Sequence, residues 1–118
     1  NTMSDDTLPL TPPEWPEWGN PLESEEDFRR IAAYAPYEQI QAKGYPPIFA
    51  LAGLTDPRVT YWEPAKWVAR LRATKTGDAP LYLKTHMDAG HAGASGRFDR
   101  LKETALSYAF ALNCMGLA

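Results

Sequence analysis

Apolar strands alternating with amphipathic helices predict an α/β fold, with parallel strands and helices on their flanks. Three observations carry that expectation. Ile48-Phe-Ala-Leu-Ala52 is an uninterrupted apolar run, as a parallel strand covered on both faces requires. Leu81-Tyr-Leu-Lys-Thr85 is a second run of strand length. Segments of helical period stand before, between and after them, near residues 24–35, 63–72 and 97–112.

The elements follow in order. Residues 1–23 read as irregular, because Pro9, Pro12, Pro13, Pro16 and Pro21 deny a helix or a central strand. Trp15 and Trp18 alternate there with Glu14 and Glu17, the pattern of a surface loop with rings on the core edge and solvated acids. Ser24 is a good N-cap for the first helix, and Glu25, Glu26 and Asp27 suit the positive end of its dipole. Phe28, Ile31, Ala32 and Ala35 mark its inner face, and Pro36 stops it. A connector with Gly44 and the Pro46-Pro47 pair leads to the first strand, and Gly53 to Arg58 is its exit loop. The second helix, Glu63 to Arg72, carries Pro64 in its first turn and Ala65, Val68 and Leu71 as an inner stripe. After the second strand comes the turn Asp88-Ala-Gly-His-Ala-Gly-Ala-Ser-Gly96. The last helix runs from about Arg97 to Leu112, with Leu101, Ala105, Tyr108, Ala109 and Leu112 at helical spacing and Gly116 past its end.

At 118 residues the chain is one domain at most. Its 44% hydrophobic and 23% charged content is that of an ordered globular protein rather than a disordered one. A net charge of −3 and the lack of a basic stripe argue against a nucleic-acid partner. No apolar run is long enough to span a bilayer, so no membrane partner is expected. The single cysteine, Cys114, excludes an internal disulfide, suits a reducing, cytoplasmic compartment and reads as a small, buried or semi-buried hydrophobe rather than a reactive thiol. The opening Asn-Thr-Met-Ser-Asp-Asp reads as a truncation.

Chemistry collects at the carboxyl ends of parallel strands. His91 sits on the glycine-rich turn after the second strand, and Asp56 lies in the exit loop of the first. Taken singly, each has a plain explanation: an acid capping a turn before Pro57, and a hydrogen-bonded structural histidine. Together they form the back half of the Ser…Asp…His order of α/β-hydrolases. In that arrangement the acid fixes the imidazole tautomer, and the ring takes the serine proton. No G-x-S-x-G elbow occurs, and Gly93-Ala-Ser-Gly96 fits neither its spacing nor its order, so the nucleophile is expected on a segment before Asn1. The chain is then the C-terminal portion of an α/β-hydrolase fold, too short to be a whole one. His86, Asp88 and His91 lack a usual zinc spacing, so no metal is expected, and His86 reads as a surface residue or one standing behind the site. Arg58 shares the Asp56 loop, either as a solvated charge or as a donor to a substrate carbonyl.

Gly53-Leu-Thr-Asp-Pro-Arg-Val59, Tyr61-Trp-Glu-Pro-Ala-Lys-Trp-Val-Ala69 and Asp88-Ala-Gly-His-Ala-Gly-Ala-Ser-Gly-Arg97 resemble the prolyl oligopeptidase family of serine peptidases. Glu17-Trp-Gly-Asn-Pro21 and Tyr34-Ala-Pro-Tyr37 fit the same family, so the resemblance covers nearly the whole chain. It implies an α/β-hydrolase catalytic domain capped by a β-propeller that admits short peptides, with cleavage after Arg or Lys. By the same resemblance Asp56 and His91 match the triad acid and base, and Arg58 the arginine on a substrate backbone carbonyl. Glu14 matches a carboxylate of the pocket for a basic P1 side chain, which overturns the surface-loop reading. The family's second acid, two residues on, is replaced by Pro16, and Glu17 is the acid that can stand in.

The expected activity is serine-type hydrolysis of short peptides through an acyl-enzyme, without a cofactor. The expected partners are the peptide, the rest of the catalytic domain, and a second copy paired through open sheet edges. Two rivals stand beside it: an acylaminoacyl peptidase or esterase of the same fold, and a non-catalytic assembly fragment.

Overall fold

The structure, a computed structural model, describes residues 2–117. They form two compact units, one ending at Gln41 and the other starting at Ala42.

The first unit corrects the expectation of an irregular start. A 3-10 turn at Thr2–Ser4 is followed by helix α1, Thr11–Trp18. Pro12 and Pro13 stand in its first turn, where the missing N–H groups would have had no partner, so they cost the helix little. Pro16 lies inside and forfeits one backbone bond. Contacts with the preceding turn offset that loss. The buried Thr11 donates its hydroxyl to the Thr2 carbonyl at 2.9 Å, and the Trp15 indole donates to the Met3 carbonyl at 3.1 Å.

Helix α2, Glu25–Tyr34, begins as expected, with the Ser24 hydroxyl accepting from the Asp27 amide at 3.2 Å. It ends at Ala35, whose extended backbone suits the residue before Pro36. The Asp27 carboxylate accepts from the Asn20 amide and from Arg30, and Arg30 also donates to the Trp18 carbonyl, so the end of α1 is tied to the start of α2. Of the expected inner face Ile31 is buried and Ala32 and Ala35 are half-buried, but Phe28 is exposed. The core of this unit is small: Ile31 shares it with Ile40, beyond the helix, and with Thr11 of α1.

In the second unit β1, Ile48–Gly53, pairs in parallel with β2, Leu81–His86, joined by α3, Trp62–Thr74. The register sets Ile48 beside Leu81 and Gly53 beside His86. Helix α3 packs on both strands, and its expected stripe is the core: Val68 and Leu71 are fully buried and Ala65 half-buried. The strands are less covered than an all-apolar run implies, with Leu51 and Tyr82 exposed.

Helix α4, Arg97–Cys114, covers the expected span, and the row that meets the sheet is not the apolar row seen in the sequence. Phe110 meets Phe49 and Tyr82 with ring centroids at 5.4 and 5.9 Å, and the least exposed positions of the helix are Glu103, Ser107 and Phe110. At 100° per residue that row lies about 200° from the one through Leu101, Ala105, Tyr108 and Leu112. All four of those residues are exposed, so the more apolar row faces away from this sheet. Cys114, expected to be buried or semi-buried, is exposed at the same helix end.

Leu71 is 0% exposed, so Leu71→Ala opens a cavity in the α3–sheet core. It is expected to cost roughly 2–5 kcal/mol, read as a fall in the urea midpoint at unchanged slope.

Candidate active site

Parallel pairing puts the carboxyl ends of β1 and β2 at one edge, with Gly53 and His86 on the last rung. Beyond it the two exit loops are sewn together. The Leu54 amide donates to the His86 carbonyl at 2.9 Å, and the Thr55 amide to the Ala89 carbonyl at 3.3 Å. Gly53 is required at the crossing: a Cβ there would collide with the carbonyl oxygens of Ala89 and Gly90, so the second loop lies against its bare backbone.

This crossing brings Asp56 and His91 together. His91 Nδ1 stands 3.0 Å from Asp56 Oδ2. Asp56 Oδ1 accepts from the backbone amides of Arg58 at 2.8 Å and Val59 at 3.0 Å. Each carboxylate oxygen thus has its own duty: one anchors the loop, the other meets the ring. The Asp56 side chain is 9% exposed and that of His91 48%, so the acid is shielded while the imidazole is half open. Burial alone would raise the Asp56 pKa. The Val59 and Arg58 amides, followed by the hydrogen bond and charge attraction of His91, outweigh it and hold the carboxyl below its ordinary value of 3.8. An ionised carboxylate can only accept, so it selects the Nδ1–H tautomer and leaves the lone pair on Nε2. The pair has what a general base needs: a basic nitrogen and a fixed orienting acid. It opens on a hollow of 330 Å³ lined by Asp56, Val59, Pro64, His86, His91 and Glu103 among others.

The other sequence candidates fall as follows. Arg58, in the same loop, is exposed, and its backbone amide donates to the Asp56 carboxylate. Glu14 and Glu17 lie on α1, in the first unit, and both are exposed. The Glu14 carboxylate accepts from the Trp18 indole at 2.7 Å, one helical turn on. Among the described residues no group of three His, Cys, Asp or Glu side chains is placed to hold a metal ion. His86 is half-buried, its Nε2 3.4 Å from Glu103 Oε2. The sequence reading did not single out Glu103. The signal available was a helical row, residues 103, 107 and 110, passed over because the apolar row on the other face was stronger.

Because folding lowers the Asp56 pKa, its carboxylate adds stability above pH 3.8, and that stability is lost as pH falls through the lower folded value. A carboxyl-carbon NMR titration is expected to place the Asp56 midpoint below 3.8, and Asp56→Asn to remove this acid-side contribution.

Comparison with known proteins gives a consistent result. The chain matches the prolyl oligopeptidase family over residues 1–118. It is 53% identical over 116 residues to Protease 2 of Moraxella lacunata, covering 98% of this chain and 17% of that protein. It is 50% identical over 117 residues to dipeptidyl aminopeptidase BI of Pseudoxanthomonas mexicana, covering 99% and 16%. Among solved structures it superposes on oligopeptidase B of Leishmania major with TM-score 0.94 at 41% identity, and on the closed form of oligopeptidase B of Trypanosoma brucei with covalently bound antipain with TM-score 0.93 at 43%. Each superposition covers 98% of this chain and 16% of the other, so the chain spans about a sixth of the length of these relatives. The fold is of the α/β-hydrolase type, and the chain belongs to the prolyl oligopeptidase family.

Proposed function

We propose that this chain is the C-terminal part of the catalytic domain of a serine oligopeptidase that cleaves short peptides after Arg or Lys. The nucleophilic serine, the oxyanion-hole donors and an N-terminal propeller are assigned to the rest of the protein. The observation that carries the reading is the 3.0 Å contact of His91 with Asp56 at the shared strand edge. The 41–53% identity to oligopeptidase B and Protease 2 supports it.

In this mechanism His91 Nε2 takes the proton of the serine hydroxyl as its oxygen attacks the scissile carbonyl. Asp56 stabilises the imidazolium. His91 then gives its proton to the leaving amine, and an acyl-enzyme remains. Water attacks the acyl carbonyl with His91 again as base, releasing the acid and regenerating the serine. The Arg58 guanidinium, exposed next to the Asp56 loop, donates to a substrate backbone carbonyl. Glu14, with Glu17 standing in for the acid replaced by Pro16, attracts the basic P1 side chain. No cofactor takes part. The partners are the peptide and the remainder of the domain, with pairing of two copies through open strand edges and a cytoplasmic address completing the proposal.

The likeness to a dipeptidyl aminopeptidase, at 50% identity, favours a second reading in which dipeptides leave free amino termini. Amino-blocked and amino-free versions of one arginine amide separate the two: an endo-acting enzyme cleaves the blocked form.

In the full-length protein, Asp56→Asn is expected to lower turnover of an arginine ester or amide roughly 10⁴-fold and His91→Ala roughly 10⁶-fold, and activity within about tenfold of the parent rejects the assignment. Glu14→Gln is expected to raise KM for Arg and Lys substrates while sparing neutral ones, measured as the ratio of kcat/KM values. Equal losses on both remove Glu14 from the P1 pocket.

A further inference from the structure

The loop that carries His91 is fastened from a second side by a residue outside the catalytic pair. Glu103 projects from the second turn of α4, and its Oε2 accepts the backbone N–H of Ala94 at 3.0 Å. Gly93, at φ +77°, gives the carboxylate room: a Cβ there would stand 3.0 Å from both Glu103 oxygens. The same oxygen stands 3.4 Å from His86 Nε2, which is buried and has no hydrogen-bond partner among the described residues. The carboxylate thus meets both the tip of β2 and the His91 loop, with its side chain 23% exposed.

A positional constraint is needed there. Gly90 and Gly93 flank the half-exposed His91, and glycines leave the backbone more conformations than any other residue. The loop's own bond, from the Gly93 amide to the Gly90 carbonyl at 3.1 Å, closes the turn but does not fix it to the rest of the domain. The Thr55–Ala89 bond holds its front. Its rear, at Ala94, is held by Glu103 through a charge-assisted bond, stronger than one between neutral groups.

We propose that Glu103 is a positioning residue for the His91 base, tethering the loop at Ala94 so that the ring stays on Asp56. The proposal rests on the serine-peptidase reading, since it presumes that His91 acts as the base. Glu103 shares the rim of the hollow with His91, and the role assigned to it runs through the backbone between residues 90 and 94, at the Ala94 amide.

The test uses the full-length enzyme with Glu103→Ala, Glu103→Gln and Glu103→Asp. Loss of the tether is expected to lower kcat roughly 10- to 100-fold in Glu103→Ala with KM within about threefold, because a base displaced by an ångström loses rate rather than binding. Glu103→Gln keeps an acceptor oxygen at the same reach and is expected to restore kcat to within about threefold of the parent. Hydrogen exchange over residues 90–96 should accelerate in the Ala variant and not in the Gln variant. Two results overturn the proposal: kcat in Glu103→Ala within about twofold of the parent, or Gln as impaired as Ala. Should Glu103→Ala fail to fold, Glu103→Asp, one methylene short, is read instead: unchanged kcat and unchanged loop exchange reject the tether. A parent enzyme that neither cleaves peptides nor reacts with a fluorophosphonate defeats the peptidase reading. Loop exchange still decides whether Glu103 holds the loop, and unaccelerated exchange in Glu103→Ala rejects that as well.

Discussion

The in-register parallel pairing of β1 with β2 is the constraint from which the site follows. Because both strands run the same way, the chain leaves them at one edge, and residues three and five positions beyond Gly53 and His86 share a small volume. Antiparallel pairing would have sent the two exits to opposite ends of the sheet. The Leu54 and Thr55 amides extend the pairing into the loops, and Gly53 lets the second loop cross without a side chain in the way. The 3.0 Å contact of His91 with Asp56 is thus a result of backbone topology before it is a result of side-chain attraction.

That topology was legible in the sequence for a simple reason. Short apolar runs separated by a helical segment have few arrangements other than a parallel crossover, and a crossover fixes which ends coincide. Val68 and Leu71 were legible likewise, since α3 buries its apolar stripe against strands in the same chain. Helix α4 shows where such reading stops. Periodicity identifies an apolar row but not its partner, and Leu101, Tyr108 and Leu112 face away from the sheet while Phe110 packs on it. Helix α1 was missed for another reason. Its prolines count against a helix by composition, yet two stand where an N–H is not needed, and tertiary bonds from Thr11 and Trp15 offset the third. Glu103 belongs to the weaker row of helix α4, and spacing alone does not say that its carboxylate reaches a loop amide.

The carboxylate of Asp56 is engaged at both oxygens: two amides on one, an imidazole on the other, all within 3.0 Å. The amides belong to residues two and three positions along the same loop, so the reach from backbone to carboxylate is set by a local turn, while the distance to the ring is set by the sheet. Those two lengths are satisfied together by a side chain with one methylene. Glutamate carries the same charge on a longer arm. It would have to give up the amides to meet the ring, or drive the ring off its perch to keep them. At this position the fold discriminates between two acids by geometry alone, and a change that conserves charge is not a conservative one.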